Sequence, residues 1–473
     1  MKKKLLPWGF SKYLAASIIF APWFCHDAFC QSRDSVKTGY LPDAAEEYWP
    51  AHKSTDPPQD FFSHIGHLPI RHNKGFISIG GSLREGYDRF SNYLWGIGPQ
   101  DDNGYFLHRV LLHTDFRYNK HVRFFGEIES SSLSGRNGGP RPIQDLNKLA
   151  FTQLFAEYTA RTPNNTILKL RVGEQALHYG VGSLLDIRDA NVHRSFAGAK
   201  FIMVKGDSKL DVFAMELMKT NPGFFDDQID ASQKIVGAWF TQNFQQGWLN
   251  KADVFYIHTN RQNAVFTQGA GTDKRHTIGT GLTFAKKGWS AYTEADLQLG
   301  TFGSGSILAW KVTQTITHQF TGRIKPDVSL QSAMSSGDKN AADPDLQTFN
   351  PIYPKAIYYG FIDNAGASNL FLIHLKSGIQ PFTKIHITGG YYRLWRQSTG
   401  DGIYNPGGIS FIPASNSKRS IGQMYDLVTA YQHSNRLSIT GIATYYKRGA
   451  FLKAVPAAGH DIWYTGISAN LHF

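Results

Sequence analysis

Cysteine is almost absent from this chain of 473 residues: Cys25 and Cys30 are the whole complement. Both fall in the first thirty residues, so the remainder has no thiol. That excludes a disulfide framework and a Cys-ligated metal site there. Long apolar runs are scarce as well. Past residue 30 no stretch of eighteen apolar residues occurs, and no transmembrane helix is expected. Acidic residues are in deficit, 37 Asp and Glu against 49 Lys and Arg, which sets the formal net charge at +12. Such a surplus points to anionic partners such as polysaccharide or lipid headgroups. No nucleic-acid motif occurs, so nucleic acid is not expected.

The first thirty residues read as a secretory signal peptide. Lys2, Lys3 and Lys4 give a basic start, Leu14 to Phe24 an apolar stretch, and Ala28 and Cys30 small or neutral residues before a cleavage expected at Gln31. Pro22 interrupts the apolar run, against a membrane anchor. This leader holds four Lys and one Asp, so its removal takes the net charge from +12 to +9.

What the chain has in plenty is glycine and aromatic residues, 46 Gly and 14% Phe, Trp and Tyr. A membrane β-barrel and a large soluble β-protein share that composition; strand periodicity separates them. In "RVLLHTDFRY" Arg109, His113, Asp115 and Arg117 fall on one face, with Val110, Leu112, Thr114, Phe116 and Tyr118 on the other. "VRFFGEIES" repeats the scheme with Arg123, Glu127 and Glu129, and "ILKLRVGEQ" with Lys169, Arg171 and Gln175. These segments are about ten residues long, enough for a tilted strand to cross a bilayer. Short breaks such as Asn119-Lys120 alternate with long ones such as "SSGDKNAADPDLQTFNPIYPK". Terminal Phe473 shares a face with Leu471, Ala469, Ile467 and Trp463. The expected fold is all-β: a single transmembrane antiparallel barrel of 16–18 strands, most simply 18, over residues 73–473. An N-terminal arm over 31–72, disordered or periplasmic, precedes it.

One stretch stands apart. "HYGVGSLLDIRDANVHRSFAGAKF", residues 178–201, joins two strands yet carries glycines, an apolar pair and a cluster of charges. With its neighbours it resembles the alginate-export family of outer-membrane barrels. "GGSLREGYDRFSNY" is similar to that family's first strand. "LKLRVGEQALHYGVGSLLDIRDANVHRSFAGAKF" resembles its Gly-Arg-Gln…Tyr-Gly…Arg-Asp…Asn…Arg-Arg-Ser-Phe-Asp-Gly block. "SSGDKNAADPDLQTFNPIYPKAIYYGFID" matches its Ser-Gly-Asp…Thr-Phe…Pro segment. Glu174 stands where the family has Arg, and Ala197 where it has Asp. The resemblance implies a monomeric Gram-negative outer-membrane barrel whose electropositive lumen conducts an anionic polysaccharide without chemical change.

A pore for a polyuronate must attract carboxylates and still release them, which several weak cationic sites achieve better than one tight site. Arginine can meet a carboxylate with two parallel hydrogen bonds. Arg188, Asn191 and Arg194 are therefore the expected constriction, with Arg171, Gln175, Arg109, Arg84 and Lys169 continuing the track. Tyr179 and Tyr87 are candidate sliding surfaces for sugar faces. The competing reading of each wall cation is ion-pair scaffolding, with Glu127, Glu157 and Asp186 as expected partners. No Gly-x-Ser-x-Gly elbow, phosphate loop or helical His spacing occurs, so no enzyme, cofactor or metal is expected. A passive porin for small anions or short acidic oligosaccharides is the second reading. Expected partners are the acidic glycan, outer-membrane lipid and periplasmic export or uptake proteins.

Overall fold

The computed structural model describes residues 40–41, 43–47, 61–70, 74–188, 190–355, 357–362 and 364–473. The expected leader and its cleavage point lie outside these residues, as does Asp189. Eighteen strands form one closed antiparallel barrel. They begin with β1 (Gly75–Ser91), β2 (Tyr105–Tyr118), β3 (Val122–Ser134), β4 (Asn147–Arg161), β5 (Ile167–Gln175) and β6 (Phe196–Lys205). The wall continues through β7 (Ser208–Lys219), β8 (Gln228–Asn243), β9 (Leu249–Phe266), β10 (Gly269–Lys286), β11 (Trp289–Phe302) and β12 (Gly305–Gln319). It ends with β13 (Asp327–Ser335), β14 (Leu370–Phe382), β15 (Ile385–Arg396), β16 (Ser420–Gln432), β17 (Leu437–Arg448) and β18 (Ile462–His472). Each strand pairs with the next, and β18 pairs back onto β1 from Ser82↔His472 to Ser91↔Trp463. A short strand, Leu68–Ile70, hooks onto the start of β1 outside this ring. The expected 16–18 strands resolve to the upper value.

Alternation along each strand makes the wall two-faced. In β2 the side chains of Arg109, His113 and Asp115 are buried, while Val110 and Leu112 are exposed. Exposed apolar residues recur round the ring, including Phe124, Leu154, Val172, Leu330, Leu375, Leu427 and Ile467. A closed barrel has only lipid to offer such a band, and closure leaves no strand edge unpaired. No helix among the described residues is long and apolar enough to cross a membrane, which says nothing of a barrel.

The two ends of the barrel differ. At one end eight connections run from two to seven residues. Lys287-Gly288 is such a turn: both have positive φ (52° and 82°), and Trp289 pairs with Lys286, the two-residue hairpin geometry that matches strand twist. At the other end, connections of up to 34 residues (336–369) fold back over the lumen. Two apolar clusters sit beneath them. One gathers Leu177, Leu184, Leu185, Phe349 and Tyr353 against the inner faces of β6 to β12. The second packs Trp95, Ile362, Phe451 and Leu452 against β2 and β14 to β18.

Candidate functional site

The connection between β5 and β6, residues 176–195, turns into the lumen instead of standing over it. Leu184 and Leu185 are buried to 1% and 0%. They zip onto the β13–β14 connection: Asp186 N donates to Tyr353 O (2.9 Å), Tyr353 N to Leu184 O (2.8 Å) and Lys355 N to Gly182 O (2.8 Å). Gly182 has φ +76° and lies so close to Asp186 that a Cβ would meet its Oδ2 at 2.6 Å, so only glycine fits there. Tyr179 stacks on Trp239 (4.9 Å) and donates to Asp211 Oδ2 (3.0 Å), fixing the fold-back to β7 and β8.

The charged residues of this connection spend their donors on holding it. Arg188, itself left-handed (φ 61°), donates to Val192 O (3.1 Å) and His193 O (3.4 Å). Asn191 Nδ2 donates to the carbonyls of Asp145 (2.9 Å), Ser132 (3.0 Å) and His108 (3.3 Å), reaching β2 and β3. Arg194 lies over the Tyr353 ring (5.2 Å) and donates to Asp186 O (3.3 Å) and Pro354 O (3.4 Å). Arg109, on the wall, donates to Ala190 O (2.7 Å). Arg188, Asn191 and Arg194 all lie in this connection, and the donors of each go to main-chain carbonyls. Gln175 is fully buried, with its amide directed at Gly173 O (3.4 Å) and Gly198 O (3.5 Å). Arg84 stands directly opposite Arg109 in the β1–β2 register. Tyr87 has the other parity: it packs on outward-facing Phe106 (5.0 Å), so it cannot be a sliding surface inside the lumen.

Of the expected acidic partners, Glu157 pairs with Arg171 (2.8 Å) and Lys169 (3.4 Å). Asp186 instead accepts from His178 Nδ1 (2.8 Å) and from Arg188 N (3.0 Å). Glu127 accepts from Thr152 Oγ1 (2.7 Å). Farther round, Lys311 is enclosed between Glu294 (2.6 Å) and Asp296 (2.9 Å).

Near the short-turn end a different pattern recurs. Lys169 on β5, Lys209 on β7 and Lys251 on β9 each pair with a carboxylate that is almost wholly buried: Glu157, Asp211 (3.1 Å) and Asp253 (2.9 Å). The carboxylates are 1–3% exposed and the lysines 33–42%, so the acid lies beneath and the ammonium faces the lumen. In the sequence the Lys-x-Asp spacing at 209–211 and 251–253 carries this signal, which alternation alone does not show.

The arm also enters this end. Tyr40 stacks on His472 (5.0 Å) and accepts from Arg436 Nε (3.1 Å) beside β17 and β18. From there the segment reaches β3 to β5, where Ala45 O accepts from Arg123 (2.7 Å) and Asp43 from Gln153 (2.9 Å). Glu46 meets Arg171 at 3.4 Å, and the same guanidinium nitrogen also meets Glu157. Burial opposes its ionisation, yet Arg171 and, behind it, Lys200, Lys209 and Arg123 hold its carboxyl well below the usual range. Sequence reasoning did not find this contact. Among the described residues no group of three or more His, Cys, Asp or Glu is placed to hold a metal ion.

The comparisons with known proteins agree with this architecture. The alginate export family model matches residues 76–465. No curated protein matches the sequence. Among solved structures the chain is similar to Pseudomonas aeruginosa OccK11 (OpdR), at 12% identity and TM-score 0.53, covering 86% of this chain and 98% of that one. OpdK with vanillate, also from Pseudomonas aeruginosa, gives 11%, 0.54, 84% and 98%. Pseudomonas aeruginosa OccK2 (OpdF) in complex with glucuronate gives 10%, 0.54, 86% and 99%. At such identities these structures speak to the fold alone, and they are outer-membrane barrels. With its closed eighteen-strand wall, inward loops and a family match over most of its length, the chain belongs to the alginate export family of Gram-negative outer-membrane β-barrels.

Proposed function

We propose that this barrel conducts an anionic polysaccharide, an alginate-like polyuronate or related acidic glycan, across the outer membrane without altering it. The observation that carries this reading is the set of half-exposed lysines on β5, β7 and β9, each backed by a buried carboxylate. Short turns of an outer-membrane barrel face the periplasm, so these ammonium groups sit at the periplasmic mouth. A mouth lined by exposed cations raises the local concentration of an anionic chain, and pairing from beneath keeps each site weak enough to release it. Glu46 on Arg171 is supporting evidence that a carboxylate is accepted on this wall.

A second reading, passive uptake of small acidic solutes, draws on the zipped inward loops, which fill part of the lumen and suit small cargo. OpdF was solved with glucuronate, a single acidic sugar. One measurement separates the two. Single channels in planar bilayers under a salt gradient should be anion-selective, and polyuronate added at the periplasmic side should block the current in long-lived events. Block by monomeric glucuronate but none by the polymer favours the porin. Cation selectivity sinks both.

A further inference from the structure

The outer face of the wall is apolar through its middle, but over β15 to β18 it changes character near the long-loop end. Tyr391, Tyr425, Tyr445 and Trp463 occupy one register row across these four strands. Their rings succeed one another at 5.2, 6.4 and 4.5 Å between centroids. All four alternate with inward residues such as Tyr392, Met424, Tyr446 and Tyr464, and Tyr425 and Trp463 are openly exposed. Such an aromatic belt marks where hydrocarbon gives way to headgroups.

The next outward row, two residues nearer the long loops, is Arg393, Gln423 and Lys447, again in direct register. Arg393 lies over the Trp395 ring (5.4 Å), and its Nε is buried with no hydrogen-bond partner. Gln423 Oε1 accepts from the Tyr425 (3.0 Å) and Tyr391 (3.4 Å) hydroxyls, which leaves its NH2 group as a donor. Lys447 is exposed, and exposed Lys418 and Arg419 lead into β16 at the same rim. The neighbouring carboxylate, Asp461, is already engaged by Arg448 (3.1 Å) and the Tyr445 hydroxyl (3.0 Å). Donors outside the barrel cannot serve a cargo inside it. They sit at headgroup level on the extracellular side, where a phosphate offers the matching charge and acceptor geometry.

We infer that Arg393, Gln423 and Lys447 form a binding site for the phosphate of a phosphorylated glycolipid of the outer leaflet, with the aromatic row beneath packing on its apolar part. The site does not depend on what passes through the lumen. The test is native mass spectrometry of the purified full chain, incubated with bis-phosphorylated lipid A, its dephosphorylated form, or phosphatidylglycerol. The parent should retain bis-phosphorylated lipid A in preference to the other two. The pair Arg393→Ala with Lys447→Ala should cut retention by about five-fold or more, as loss of charge-assisted contacts worth one to two kcal/mol would. Arg393→Lys should restore part of it. Single-channel conductance should stay unchanged, which also shows that the variants fold; if the alanine pair does not fold, Arg393→Gln with Lys447→Gln takes its place. Equal retention by parent and variant overturns the site. Equal retention of dephosphorylated lipid A or of phosphatidylglycerol overturns its assignment to a glycolipid phosphate.

Discussion

Asn191 has three carbonyls around one amide nitrogen, and that geometry predicts what its loss would do. Asn191→Ala removes that buried donor, at a cost of about 1–3 kcal/mol. The loop between β5 and β6 should loosen, giving larger and noisier single-channel conductance, with reversal potential unchanged. Arg188→Ala should behave alike, since its donors also go to carbonyls. A shift of reversal potential with no change of conductance would return these residues to cargo contact. Lys169 predicts the opposite signature. In Lys169→Gln the Glu157 carboxylate keeps Arg171 at 2.8 Å, so no buried charge is left bare. Anion selectivity should fall measurably in a salt gradient while conductance changes little. At Glu46, replacement by Gln removes one carboxylate from Arg171. Periplasmic polyuronate should then block at lower concentration, read from the concentration dependence of block.

Between elements, the long loops are tied by Asp401. Its carboxylate accepts from Thr348 Oγ1 (2.6 Å), Tyr404 OH (2.6 Å), Thr267 Oγ1 (2.7 Å), Gly402 N (2.7 Å) and Asp338 N (2.9 Å). Asp338 lies beside it. Burial, opposed by the Asn340 N–H and reinforced by the Asp401 charge, pushes its carboxyl up to about 6. An acid whose pKa is higher in the packed loop than in the free chain binds its proton more tightly when packed. Packing is therefore favoured as pH falls through 6 toward the ordinary value of 3.8, and weakened as pH rises. Hydrogen-exchange protection of residues 336–350, taken relative to the intrinsic rate at each pH, should be higher at pH 5 than at pH 7.5, and Asp338→Asn should flatten that difference. An unchanged pH difference in the variant would rule Asp338 out as its source. The strands were legible in the sequence because each wall residue meets one of two unlike environments, lipid or lumen, and alternation records the choice. Arg109, Lys169 and Arg171 were placed inward by parity alone. The loops were not legible in the same way. Whether Arg194 faces cargo or a carbonyl depends on Tyr353 and Pro354, far along the chain, and no period encodes that contact. Tyr87 is the simpler case: its ring suggests sugar contact, whereas its parity puts it outside.

Taken as one object, the barrel has lysines paired with buried carboxylates near its short-turn end, a lumen partly filled from the long-loop end, and an outer wall with its own cations. Each is assembled by residues from several strands or loops that the antiparallel pairing brings side by side, and the ring closes at β18 on β1. Closure also sets what the empty protein does to the cell. Eighteen strands enclose a bore wide enough to be a hazard, since the outer membrane is a permeability barrier. The apolar zipper of Leu184 and Leu185 against Tyr353 occupies that bore with residues no cargo has to supply. On that geometry the inward loops narrow the bore whether or not cargo is present.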